Sequence, residues 1–219
     1  MKPRDAEATR DRILAAARAE FAGLGLGGAR IDSIAAAAGA NKQMIYHYFG
    51  SKDGLFTSAL EAEYAQFRNA EAALELERLN PVAALEALIT FTWRYYLDHP
   101  DFIGLVNGAN LHKAKLLKGS ETFRRVNRPF LIRMRAILAR GVSAGLFRDD
   151  IDPAQLQITI AALGYYYLTN QYTGSMVFER DLTSIKALKQ RLEFNRRTIL
   201  RLVCTAKTLA RLETVTCAA

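Results

Sequence analysis

Residues 29–55 read ARIDSIAAAAGANKQMIYHYFGSKDGL, and this stretch decides the fold. Ile31, Ile34, Ala35 and Ala38 recur at i, i+3, i+4 and i+7, which is one face of a short helix. Gly39 supplies the residue type that tolerates the left-handed geometry ending many helices. Asn41 offers a side-chain oxygen to the open amides of a second helix. That second helix turns Ile45 and Tyr48 inward and leaves Lys42, Gln43, Tyr46 and His47 facing outward. Two short helices joined by a glycine-bearing turn make a helix-turn-helix. The polar N-terminal end of the second helix is the end that meets base edges in the major groove of DNA.

The 219 residues suffice for a small domain joined to a larger one, and half of them are hydrophobic. A net charge of +8 favours a polyanionic partner without choosing between nucleic acid and a membrane surface. The N-terminal residues MKPRDAEATR carry charge and no apolar run, so no signal peptide is expected. No stretch approaches the ~20 apolar residues of a membrane span. Cys204 and Cys217 lack metal-like spacing, which suits a reducing cytoplasm and leaves no metal or cofactor expected. Three scattered histidines (His47, His99 and His112), with no nucleophile or phosphate-loop motif, argue against an enzyme.

Along the chain the pattern is helical throughout. Residues 1–8 read as a frayed arm carrying Lys2 and Arg4, and arms of this kind reach into minor grooves in some proteins. A first helix is expected from Thr9 to Ala22, with Ile13, Leu14, Ala17 and Phe21 on one face. Gly23, Gly25 and Gly28 fit G-x-G-x-x-G in form, but helices flank them and no strand precedes them, so the run is a helix stop. Ser51 is expected to cap a helix to Arg78, and Asn80-Pro81 to open one ending at His99-Pro100. Further helices are expected over 100–117 and 121–144, with Pro129 kinking the latter or marking its start.

The helix expected from Pro153 to Phe178 has two apolar faces, so it must be covered on two sides. One face holds Leu156, Ile160, Leu163 and Tyr167; the other holds Ile158, Ala162, Tyr165, Tyr172 and Met176. From Thr183 to about residue 209 a heptad runs through Ile185, Leu188, Leu192, Asn195, Ile199, Leu202 and Ala206. A lone Asn in such a seam fixes register between paired helices in some coiled coils. The expected fold is all-α, with a three-helix DNA-binding domain at residues 1–54 and a larger helical domain at 55–219.

Ile34-Ala35, Ala38-Gly39, Tyr46-His47-Tyr48-Phe49 and Ser51-Lys52-Asp53-Gly54-Leu55 resemble, in order and spacing, the signature of the TetR family of bacterial transcriptional regulators. The first helix, with Ile13, Ala16, Ala17 and Phe21, is also similar, so the resemblance covers about residues 8–56. It implies a homodimer, a small-molecule effector held in the C-terminal helical domain, and an interface made by the last two long helices. It implies a cytoplasmic regulator on the bacterial nucleoid, most simply a repressor released from a palindromic operator. A nucleoid-associated or protein-controlled DNA binder without an effector is the alternative. The family commonly has Thr or Ser where this chain has Arg30, which cannot cap the helix but can grip a phosphate.

On this reading Gln43 pairs with adenine N6 and N7, while Lys42 holds a phosphate or reads guanine. Asn41 serves as an N-cap rather than a base reader. Tyr46 and His47 hydrogen-bond phosphates, and Lys52 anchors another at a helix start. Trp93, Tyr96, Phe102, Asn107, Asn110, Tyr165, Tyr166, Asn170 and Tyr172 are candidates for an aromatic-walled effector pocket with a few orienting amides. Leu188, Leu192, Asn195, Ile199 and Leu202 are candidates for the dimer seam. The arginines from Arg124 to Arg140 and the bases from Lys186 to Arg211 hold much of the positive charge away from the motif, so the motif, not the charge, carries the DNA assignment.

Overall fold

The computed structural model describes residues 3–216; Lys2, the Arg4 side chain and Cys217 lie outside the described residues. Helix α1 (Pro3–Gly28) begins earlier than the expected Thr9, so residues 3–8 are helical rather than an extended arm. The glycine run breaks it as expected, because Gly25 takes φ 66° and ψ 176° inside its last turns. Helices α2 (Ile31–Ala38) and α3 (Lys42–Phe49) follow, then α4 (Lys52–Ala72). α4 stops short of Arg78 because Glu75 turns left-handed, at φ 47°, and a 3-10 turn, Leu76–Arg78, follows.

Helix α5 (Pro81–Asp98) starts at Asn80, whose Oδ1 accepts from the Ala83 amide at 2.9 Å. Helix α6 (Pro100–Leu111) ends before the expected residue 117, since Lys113 and Ala114 both take positive φ ahead of a 3-10 turn at Lys115–Leu117. Helix α7 (Glu121–Ser143) runs through Pro129 without ending. Pro129 and Arg125 are exposed, so water can satisfy the carbonyl that loses its donor.

Helix α8 (Pro153–Val177) is capped by Asp152, whose Oδ1 accepts from the Gln155 amide at 2.7 Å. Helix α9 (Ile185–Val203) starts at Ser184 and stops well before residue 209. There the backbone leaves the helix to bond across to residues 146–148: Arg148 N–H donates to the Val203 carbonyl, and Thr205 N–H to that of Leu146, each at 2.9 Å. Helix α10 (Ala206–Thr216) resumes beyond that break. Among the described residues the only strand-like feature is the isolated Phe147–Cys204 bridge, so the fold is all-α.

The chain divides into two compact units, Met1–Arg68 with His99–Asn127, and Asn69–Asp98 with Arg128–Ala219. The first has a core of Ile13, Ala17, Phe21, Ile34, Ile45, Phe49, Leu55, Phe56, Leu60 and Leu105. Its helix-turn-helix is thus completed by the start of α4 and by α6, beyond residue 54 in sequence. Arg18 of α1 pairs with the buried Glu63 of α4 at 3.0 Å and lies 3.5 Å from Asp101 of α6. The second unit buries Leu85, Leu88, Ile89, Met134, Ile137, Leu156, Ile160, Ile199 and Val203. Arg140 binds the carbonyls of Leu76, Glu77 and Leu79, fixing the turn after α4, and Arg133 pairs with the buried Glu71 at 2.8 Å. Burial pushes the Cys204 thiol up to about 11, so it stays protonated.

Two residues of the seam read from the heptad are corrected here. Asn195 is 3% exposed and Ile199 0%, both enclosed by their own subunit, so neither is available to a partner. Leu188 and Leu192 are half-buried, and Leu202 is exposed. The second apolar face of α8 is the one left open: Tyr172 and Met176 are 72% and 79% exposed, with Ile158, Tyr166 and Val177 also bare.

Candidate nucleic-acid interface

The turn between α2 and α3 is built as its residues dictate. Gly39 takes φ 59°, the left-handed conformation that costs a glycine least. The Asn41 side chain accepts from the Met44 amide at 2.8 Å, which commits its oxygen to the cap. Ile45 and Phe49 are buried and Tyr48 half-buried, whereas Lys42, Gln43, Tyr46 and His47 stand exposed in the order expected. Gln43 carries an amide with nothing to hold it back.

Lys42 is not free in the same sense, because its ammonium lies 2.6 Å from the Asp32 carboxylate. Both side chains are more than half exposed, so the pair is weak and can exchange for a phosphate. Arg30 occupies the N-cap of α2 and makes no side-chain cap, leaving the first amides of that helix open. Its own N–H donates to Glu20 Oε1 at 3.0 Å. Open amides, a helix dipole and a neighbouring guanidinium together favour an anion at this end.

The start of α4 is a second such end. Ser51 Oγ accepts from the Gly54 amide at 3.0 Å, and a Cβ at Gly54 would lie 2.1 Å from the Phe49 carbonyl oxygen. Only glycine permits that close turn. Lys52 is half-buried, with its ammonium 3.5 Å from the Gly27 carbonyl, so the glycine run at the end of α1 holds the lysine beside the start of α4. Two supports were not legible in the sequence. Arg12 donates from Nε to the Ala38 carbonyl at 3.2 Å, satisfying the end of α2, and the Arg10 guanidinium stands 5.5 Å from the centre of the Phe49 ring.

Comparison with known proteins matches both halves of the chain to family models. Residues 13–59 match the model for bacterial regulatory proteins of the tetR family, and residues 81–199 match the tetracyclin repressor-like C-terminal domain. The chain belongs to the TetR family of bacterial transcriptional regulators. It is 39% identical over 194 residues to the HTH-type transcriptional repressor NicS of Pseudomonas putida, covering 89% of this chain and 92% of that protein. The HTH-type transcriptional repressor SCO4008 of Streptomyces coelicolor is 36% identical over 167 residues, covering 74% and 80%. Two solved structures share the fold. The putative regulator SCO4942 of Streptomyces coelicolor has a TM-score of 0.67 at 23% identity, over 89% of this chain and 98% of that one. The ketosteroid regulator KstR2 of Mycobacterium tuberculosis has a TM-score of 0.64 at 20% identity, over 90% and 95%.

In this TetR-family chain the candidate effector residues fall into both units. Phe102, Asn107 and Asn110 belong to the first, where Phe102 is buried against Tyr64 and Phe67. Asn110 borders a hollow of about 360 Å³ with Tyr64, Val106 and Phe123. Trp93 and Tyr96 are buried in the second unit, the Trp93 ring edge-on to Tyr167 at 5.6 Å. Tyr165 is half-buried, which pushes its phenol up, and Tyr172 is exposed. Tyr166 and Asn170 line a groove of about 810 Å³ between the end of α8, the 178–184 loop and the start of α9. Arg191 lies in that groove and was not singled out from sequence; its half-buried place between two rings depends on a helix pairing that no local pattern reveals.

Proposed function

We propose that this TetR-family regulator is a homodimeric repressor that reads a palindromic operator and leaves it when a small-molecule effector binds. The observation that carries the reading is the exposed face of α3, Gln43 with Lys42, Tyr46 and His47, flanked by the uncapped start of α2 at Arg30 and by Lys52 at the start of α4. Gln43 reads a base, and the others grip phosphates and set register. Residues 1–54 do the reading; residues 55–219 carry the effector and dimer contacts, although packing extends the first unit past that point. The open apolar face of α8 supports pairing of two subunits, and the groove beside Arg191 supports a ligand over a purely protein-controlled binder. Such a regulator works where the chromosome is, in the bacterial cytoplasm. No helix among the described residues is long and apolar enough to cross a membrane.

The test is selection of genomic fragments by the purified protein at two salt concentrations. A palindromic site that survives the higher salt is the expected result. Fragments of unrelated sequence that wash off with salt would reduce the protein to counterion-driven binding and overturn the specific reading.

A further inference from the structure

We infer that the groove between α8 and α9 binds a small planar carboxylate, with Arg191 as its counter-ion. The inference deepens the effector reading above and rests on it. The groove's size lies in the range of small-molecule sites. Its walls are aromatic, and Arg191 lies with its guanidinium 5.3 Å from the Tyr167 ring centre and 5.2 Å from that of Phe194.

Arg191 makes one protein hydrogen bond, from Nη2 to the Leu163 carbonyl at 3.3 Å, and its buried Nε has no partner. Among the described residues no carboxylate pairs with it. Asp181, the one acid lining the groove, has its Oδ1 taken by the amide and hydroxyl of Thr183. Burial lowers the Arg191 pKa, and among the described residues no Asp or Glu offsets it. The groove therefore sets three cations, Arg180, Lys186 and Arg191, against the single carboxylate of Asp181. A half-buried cation without a counter-charge is costly to keep. A flat anion removes that cost: its carboxylate meets the planar fork of donors, and its ring lies against the aromatic walls of the groove. The Tyr167 hydroxyl already donates to the Leu182 carbonyl at 2.9 Å, which holds that wall in place before any ligand arrives.

The probe is benzoate, titrated into the full-length protein by calorimetry, with melting temperature followed in parallel. Benzamide, of the same shape without the charge, is the control. Benzoate is expected to bind in the millimolar range or tighter and to raise the melting temperature, while benzamide does neither. Arg191→Met keeps the length and apolar packing of the side chain; it should weaken benzoate about tenfold or more without lowering the unliganded melting temperature. Arg191→Lys keeps the charge without the fork and should fall between the two, which decides the matter if the Met variant does not fold. Benzoate binding that is absent, matched by benzamide, or unchanged in both variants overturns the site. Dissociation of the dimer in Arg191→Met also overturns it, since a partner's carboxylate then fills the groove. Operator release is scored separately. Benzoate lost in Arg191→Met with operator binding untouched keeps the site and removes the release reading. Release by another metabolite that is undiminished in Arg191→Met keeps release and removes the site.

Discussion

At the scale of single residues, the proposed interface divides side chains that would read from side chains that would hold. Gln43 is exposed with an unengaged amide, whereas Lys52 is tethered beside a helix start. Gln43→Ala should therefore relax base preference at one position of each half-site, at about 1–3 kcal/mol of discrimination. Lys52→Ala should weaken all sequences alike and lower the salt slope by about one unit. Binding to a panel of operator variants at several salt concentrations checks both, and an equal loss of discrimination in the two variants would sink the division of roles. The local part of this architecture is legible in the sequence. Asn41, Asn80 and Asp152 cap the helices they precede because a cap involves residues three apart, and spacing of that kind is visible in sequence. Arg12, Arg140 and Arg191 were opaque for the opposite reason: their partners lie 26, 61 to 64 and 28 residues away, so only the packing of helices defines them.

At the scale of elements, helix existence followed from periodicity, and helix ends followed only where the terminating signal was local. Glycine and Asx signals placed the boundaries of α2, α3, α5 and α8 closely. The ends of α4, α6 and α9 were set by non-glycine left-handed residues and by the bonding of 203–205 to 146–148, neither of which leaves a local mark. The joint between α3 and α4 gives the clearest element-level test. A methyl at Gly54 would collide with the Phe49 backbone oxygen, which a helix junction cannot move aside. Gly54→Ala should cost about 1–3 kcal/mol of stability through this overpacking. Gly27 has open space around its missing Cβ, and its carbonyl would still face Lys52, so Gly27→Ala should be neutral or slightly stabilising. Thermal unfolding of the pair distinguishes the two sites, and equal melting temperatures would show that the junction is looser than its geometry.

At the scale of the whole molecule, the heptad in α9 shows how a pattern can be right about burial and silent about who does the burying. Ile199 and Asn195 repeat with the seam, yet both are enclosed by their own subunit. An intrachain core and an intermolecular seam impose the same period on a helix, so sequence alone does not separate them. The surface that does lack cover is the second face of α8, with Ile158, Tyr172 and Met176 bare. Bare aromatic and aliphatic groups in one patch are what a homodimer interface needs. The double change Tyr172→Glu with Met176→Glu should leave the subunit folded, because neither side chain belongs to its core, while like charges placed on both copies drive the subunits apart. Sedimentation should then report a monomer with unaltered helicity. Two recognition helices must sit about 34–36 Å apart to meet both half-sites together. Operator affinity should therefore fall toward the non-specific level, on the order of a thousandfold. Ile199→Glu should instead unfold the second unit by burying an unpaired charge. A double variant that stays dimeric and keeps its operator would place the interface elsewhere, and the open face of α8 would then need another partner.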